Sequence, residues 1–168
     1  MCQRSRHPGF TLIELVLVLM IIAICAAIAA PTLSGFARGR ALPNASIELV
    51  TTARWCRVKA LSDGLQYRLN FDTTAGKWWV TKDDGNTAFA DVTEDMGREY
   101  IVPEGVVIAN IEFQTAPDAR SDAGTYISFF PGGKTEVAKV TLTYEDHSAI
   151  IECDTPLGSY HVVEAVNQ

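Results

Sequence analysis

Residues 9–30 read GFTLIELVLVLMIIAICAAIAA, and the rest of the chain is read outward from them. From Leu15 to Ala30 there is no charged side chain and no strong hydrogen-bonding one. As a helix rising 1.5 Å per residue, Phe10–Ala30 spans roughly 30 Å, the thickness of a bilayer's hydrocarbon core. Glu14 is the exception in this run. A carboxylate in a membrane segment costs up to about 2.5–3.5 kcal/mol at the midplane and less near the interface, so such a residue usually has a functional partner. Arg4 and Arg6 precede the run and favour a cytoplasmic N-terminus, while Arg38 and Arg40 follow it and weaken that bias. A secretory signal peptide is one reading, with Ala26–Ala30 as small residues for cleavage, but its apolar region is usually about 7–15 residues. A membrane helix that keeps Glu14 is the other, and only this one gives the carboxylate a use.

The remainder of the chain has a different composition. The whole protein has 168 residues, 48% of them apolar and 20% charged, which is globular composition and excludes a wholly disordered chain. Its formal charge is −6. Residues 41–168 hold ten basic and nineteen acidic residues, a balance of −9, against four basic and one acidic in residues 1–40. An acidic balance argues against nucleic-acid binding, and four cysteines are too few for a disulfide-framework miniprotein. The pattern is that of a membrane anchor carrying a water-soluble domain.

Within that domain the periodicity changes once. Pro31 and Pro43 are expected to interrupt and kink an otherwise helical stretch. Leu49, Ala53, Cys56 and Ala60 then recur on one face of a helix over 45–62, and their small size lets that face sit close to a sheet. Arg54, Arg57 and Lys59 fall mostly on other faces and read as solvation. Asp63-Gly64 ends the helix with a left-handed glycine. Leu65, Tyr67, Leu69 and Phe71 then alternate with polar residues as a strand, and Thr74-Ala75-Gly76 turns into its hairpin partner, Lys77–Lys82. Asp83–Asn86 is a turn and 87–99 a loop. Further strands are expected near 100–102, 106–113, 125–130, 137–144, 149–153 and 160–164, with a loop over 114–124.

Gly9-Phe10-Thr11-Leu12-Ile13-Glu14 resembles the processing site of type IV pilins and pseudopilins. The resemblance implies that a prepilin peptidase cuts between Gly9 and Phe10 and methylates the Phe10 amine. Glu14 becomes the fifth residue of a mature chain of 159. Pro31 falls where many family members carry a helix-softening proline. Ala53-Arg54 with Ala60, the Leu65–Asp72 strand, and Thr125–Gly133 (TYISFFPGG) resemble the H-type minor pseudopilins and the FimT-like group. Many members have Gly-Arg in the last hairpin turn, where this chain has Gly158-Ser159.

The implied fold is α+β and pilin-like, a long N-terminal membrane helix packed on antiparallel β-sheets. Its parts are a leader (1–9), a membrane and assembly helix (10–30), a helical continuation (31–64) and a β-rich periplasmic domain (65–168). The implied function is that of a minor pseudopilin of a type II secretion system, near the tip of the pseudopilus, working in protein export. The implied partners are the prepilin peptidase, other major and minor pseudopilins, the bacterial inner membrane crossed once, and secreted substrates. Glu14 is implied to pair with the N-terminal amine of a neighbouring subunit; an intrachain pair with Phe10 is the alternative. A FimT-like minor type IV pilin in pilus assembly or DNA uptake is the second reading. A membrane-anchored periplasmic enzyme or binding protein is the third.

No catalytic site, metal site or cofactor is expected. Gly133-Lys134-Thr135 resembles the end of a phosphate-binding loop, but Ser128 stands where the first glycine belongs and the segment joins two strands. His7, His147 and His161 are isolated in sequence, and no zinc motif occurs. Asp83–Asn86 lacks the spaced ligands of a Ca²⁺ loop. Trp55, Trp78 and Trp79 read as core or subunit-contact residues. The last 16 residues contain no Lys or Arg, and no DNA binding is expected. Cys56 and Cys153 both lie in the exported domain, where a disulfide between them would persist. Two buried thiols are the other outcome.

Overall fold

The structure, a computed structural model, describes residues 11–85, 88–92, 95–114 and 125–167, without the side chains of 28–38, 95 and 164–167. The expected leader, Gly9, Phe10, Asn86 and nearly all of the 114–124 loop lie outside the described residues. The chain forms two units, residues 1–39 and 40–168.

The first unit is the helix α1 (Leu12–Arg38). Thr11 opens it: its carbonyl accepts the Glu14 and Leu15 amides at 3.1 and 3.2 Å, and its Oγ1 accepts the Glu14 amide at 3.3 Å. A Thr with Glu three residues on is the sequence form of a capping box, and a carboxylate in the first turn suits the helix dipole. The interruption expected at Pro31 does not occur, since α1 continues through position 31 to Arg38. One missing backbone donor removes one helical hydrogen bond, which a long apolar helix tolerates.

The second unit begins with α2 (Ala41–Asp63). The helical break therefore falls at Gly39-Arg40, and Pro43 sits in the first turn of α2, where amides have no helical partner to lose. The Arg40 carbonyl accepts the Asn44 amide at 3.0 Å. Gly64 closes the helix at φ 66°, the left-handed cap read from the sequence. The face predicted to be buried is buried: Leu49, Ala53, Cys56 and Ala60, joined by Leu42, Ala45 and Val50.

Two antiparallel sheets pack on α2. The first contains β1 (Tyr67–Asp72), β2 (Lys77–Asp83), β3 (Phe89–Asp91), β4 (Tyr100–Ile101) and, later in the chain, β6 (Thr125–Phe129). Its order is β3-β2-β1-β6, with β4 also on β2. Register sets Leu69 opposite Val80 and Phe71 opposite Trp78, so the alternating apolar residues of both strands face α2. The loop expected over 87–99 contains β3 and a 3-10 turn (Asp95–Gly97). Its Phe89 ring lies 3.5 Å from the Arg68 guanidinium, which also lies 4.2 Å from the Tyr126 ring. Trp78 is in the core, stacked on Tyr100 with centroids 4.4 Å apart.

The second sheet runs β5 (Val106–Phe113), β7 (Ala138–Tyr144), β8 (His147–Glu152), β9 (His161–Asn167). In β5, Val106 and Ile108 point inward, and the register then shifts between Ile108 and Asn110. That one extra residue moves the inward face from even to odd positions, so Ile111 and Phe113 still pack on the core. A second shift, between Ile150 and Ile151, lies in the β8–β9 pair.

Candidate functional site

From Leu15 to Ala27, α1 is apolar on all sides. Leu12, Ile13, Leu15 through Ile22 and Ile24 are exposed, from 45% at Val18 to 82% at Leu12. A helix hydrophobic all round belongs in lipid or inside a bundle, because at about 25 cal/mol per Å² its exposure to water is strongly disfavoured. Among the described residues no helix is long and apolar enough to cross a membrane. The expected span 10–30 includes Phe10 and the side chains of 28–30, which lie outside those residues. Glu14 lies in the first turn of α1, with its amide on Thr11.

Arg57 was read as a solvated helix charge, and the structure corrects this. Its Nε donates to the Gly133 carbonyl at 3.0 Å and its Nη2 to the Leu157 carbonyl at 2.7 Å. Its Nη1 donates to the Gly158 carbonyl at 2.6 Å and to Ser159 Oγ at 3.0 Å. Arg54 Nε reaches the Tyr160 carbonyl at 3.3 Å. The planar five-donor fork of a guanidinium suits several carbonyls converging from two loops. Arg57 thereby ties α2 to the 130–135 turn and to the 153–160 segment before β9. The contacted segment contains Gly158-Ser159, where many resembling proteins carry Gly-Arg.

Gly133-Lys134-Thr135 is a hairpin turn. The Gly133 amide bonds the Phe130 carbonyl at 2.9 Å, the Phe130 amide bonds the Lys134 carbonyl at 2.8 Å, and Thr135 bridges Phe129. Gly133 has φ 76°, and a Cβ there would stand 3.0 Å from Leu61, so the turn lies close against α2.

Cys56 and Cys153 are both buried, and each stands as a free thiol in the structure. Cys153 Sγ donates to the Thr155 carbonyl at 3.2 Å. Burial pushes the Cys56 thiol well above the usual range and raises the Cys153 thiol, an effect opposed at Cys153 by the Thr155 bond and nearby Arg57. A low-pKa reactive cysteine is the opposite case.

One group of ligand-type side chains escaped the sequence reading. Oxygens of Glu152 and Asp154 and a ring nitrogen of His161 lie within 4.8 Å of one another. His161 looked isolated because its neighbours arrive through the β8–β9 ladder, where Glu152 pairs His161.

Comparison with known proteins agrees with this geometry. Residues 4–30 match the model of the prokaryotic N-terminal methylation motif, and residues 45–159 match that of the type II transport protein GspH. No curated protein matches the chain. Two structures of the minor pseudopilin EpsH from the type II secretion system of Vibrio cholerae share the fold at 9% identity. One has a TM-score of 0.58 over 73% of this chain and 96% of that one. The other has a TM-score of 0.60 over 76% and 97%. With its methylation motif at the front and the GspH match over most of its length, the chain belongs to the type II transport protein GspH family and is a GspH-type pseudopilin.

Proposed function

We propose that this pseudopilin is an assembly subunit rather than a catalyst, and that α1 supplies both its anchor and its filament contact. The observation that carries this is the exposed apolar surface around residues 15–27 of α1, inside the stretch that matches the methylation motif. Before assembly, α1 holds the subunit in the inner membrane with residues 41–168 in the periplasm. On assembly it packs against the helices of other pseudopilins in a type II pseudopilus, near the tip. Prepilin peptidase cuts between Gly9 and Phe10 and methylates the new amine, and secreted proteins are the eventual cargo.

Glu14 then sets register. The amine has a reference pKa of about 7.7–8.0 and is largely cationic at neutral pH. A carboxylate in poorly solvated surroundings is costly alone, and pairing with a neighbouring subunit's amine offsets part of that cost. Mass spectrometry of the mature chain is expected to show an N-terminus at methylated Phe10; an N-terminus near residue 30 would mark an ordinary signal peptide instead. Glu14→Ala is expected to leave Gly9 cleavage and the soluble fold intact while lowering incorporation into the pseudopilus, read by cross-linking and secretion assays. Wild-type incorporation by that variant would leave Glu14 as a local cap and charge partner.

A further inference from the structure

Three side chains from two strands and the turn between them converge at the start of β9. Glu152, the last residue of β8, lies across the ladder from His161, the first residue of β9. Asp154 lies two residues beyond Glu152, and its Oδ2 is 4.0 Å from His161 Nε2, too far for a hydrogen bond. With Glu152 included, one donor atom from each of the three lies within 4.8 Å of the others. Donors about 2.0–2.2 Å from a zinc ion stand roughly 3.3–3.6 Å apart, so a contraction of about an ångström closes the set.

A group outside the three orients the imidazole. His161 Nδ1 is 3.2 Å from the Ser159 carbonyl. A carbonyl only accepts, so in the neutral ring Nδ1 carries the hydrogen and the Nε2 lone pair is left facing Asp154. Metal-ligating histidines almost always have such an outer partner, which fixes both tautomer and ring angle. Here that partner is itself held, because Arg57 donates to the Gly158 carbonyl and to Ser159 Oγ. On its other side Glu152 faces Lys139 across the β7–β8 ladder, an ammonium that competes with a metal for the carboxylate.

We propose that Glu152, Asp154 and His161 form a binding site for a divalent transition-metal cation, Zn²⁺ by the chemistry of the donors. One imidazole with two carboxylates suits a borderline ion, whereas Ca²⁺ and Mg²⁺ prefer all-oxygen sets of higher coordination number. Three protein ligands leave one tetrahedral position open. The ion ties the edge strand β9 to β8 and to the segment that Arg57 holds.

The test is titration of Zn²⁺ into the full chain in detergent after chelator treatment, followed by calorimetry and thermal unfolding. Saturable binding of one equivalent is expected, with a rise in Tm. His161→Gln and Asp154→Asn should each weaken binding about ten-fold or more, while His7→Gln and His147→Gln leave it unchanged. Asp154 is exposed, so its variant remains informative if His161→Gln fails to fold. Absence of saturable binding, binding unaltered by Asp154→Asn, or displacement of Zn²⁺ by equimolar Ca²⁺ would each overturn the assignment.

Discussion

Arg57 shows how much one residue can connect. Its partners are 76 to 102 positions away in sequence, and three of the four are backbone carbonyls that α2 alone has no reason to meet. Arg57→Ala removes all four hydrogen bonds and leaves those carbonyls to find water. Hydrogen bonds involving a charged partner contribute about 1.5–3 kcal/mol, less where water replaces them, so a total loss of about 1–3 kcal/mol is expected by urea unfolding. Arg57→Lys should recover only part of it, since a single ammonium cannot reach two loops in the same fork. Equal stability of the alanine variant and wild type would show that the loops need no tie.

At the scale of elements, α2 works through what its inner face lacks. Ala45, Cys56 and Ala60 have no exposed surface, and Ala53 almost none. Small side chains there bring the helix axis close to both sheets, so Leu69, Val80, Ile127, Leu142 and Ile151 fill the core from the other side. Added volume has no space to enter. Ala60→Leu is expected to cost about 1–3 kcal/mol through overpacking, visible as a lowered Tm, whereas Lys59→Leu on a half-buried face should cost far less. The β5 bulge is the strand counterpart: it keeps Ile111 and Phe113 on the core side where strict alternation would turn Asn110 and Glu112 inward.

At the scale of the folded unit, buried acids with weak protons set an alkaline limit. Burial raises the Cys56 thiol and the Tyr160 phenol far above their ordinary values, and Tyr160 also donates to the Glu136 carbonyl at 2.7 Å. A folded-state pKa above the unfolded one means that the native state keeps its proton when the unfolded chain would lose it. The stabilisation is therefore complete below the unfolded pKa and is lost as pH rises. From about pH 9 the thiol should reduce stability by about 1.4 kcal/mol per pH unit, with Tyr160 adding a similar slope above about pH 10. Urea unfolding between pH 8 and 11 checks this. Cys56→Ala and Tyr160→Phe should each flatten the curve, and an unchanged slope would assign the alkaline loss to other groups.

Much of this was legible in local spacing. The run behind Gly9, the small face of α2, the Gly64 cap and the alternation in 67–72 and 138–144 each depend on residues a few positions apart, and the chain's own geometry imposes those periods. The strand β3 was not legible. Three residues hold no period, and they form a strand through pairing with β2, with Phe89 stacked on Arg68. The break between α1 and α2 was misread because Pro31 was given more weight than its single missing donor carries. The sequence by itself determined the apolar helix, the processing motif and the order of helix and strands, since these are set by neighbouring residues. Only the tertiary structure decided the reach of Arg57, the burial of both Cys56 and Cys153, and the meeting of His161 with Glu152 and Asp154. Each of these depends on distant segments being brought together, and the register that brings them is fixed by packing over the whole core.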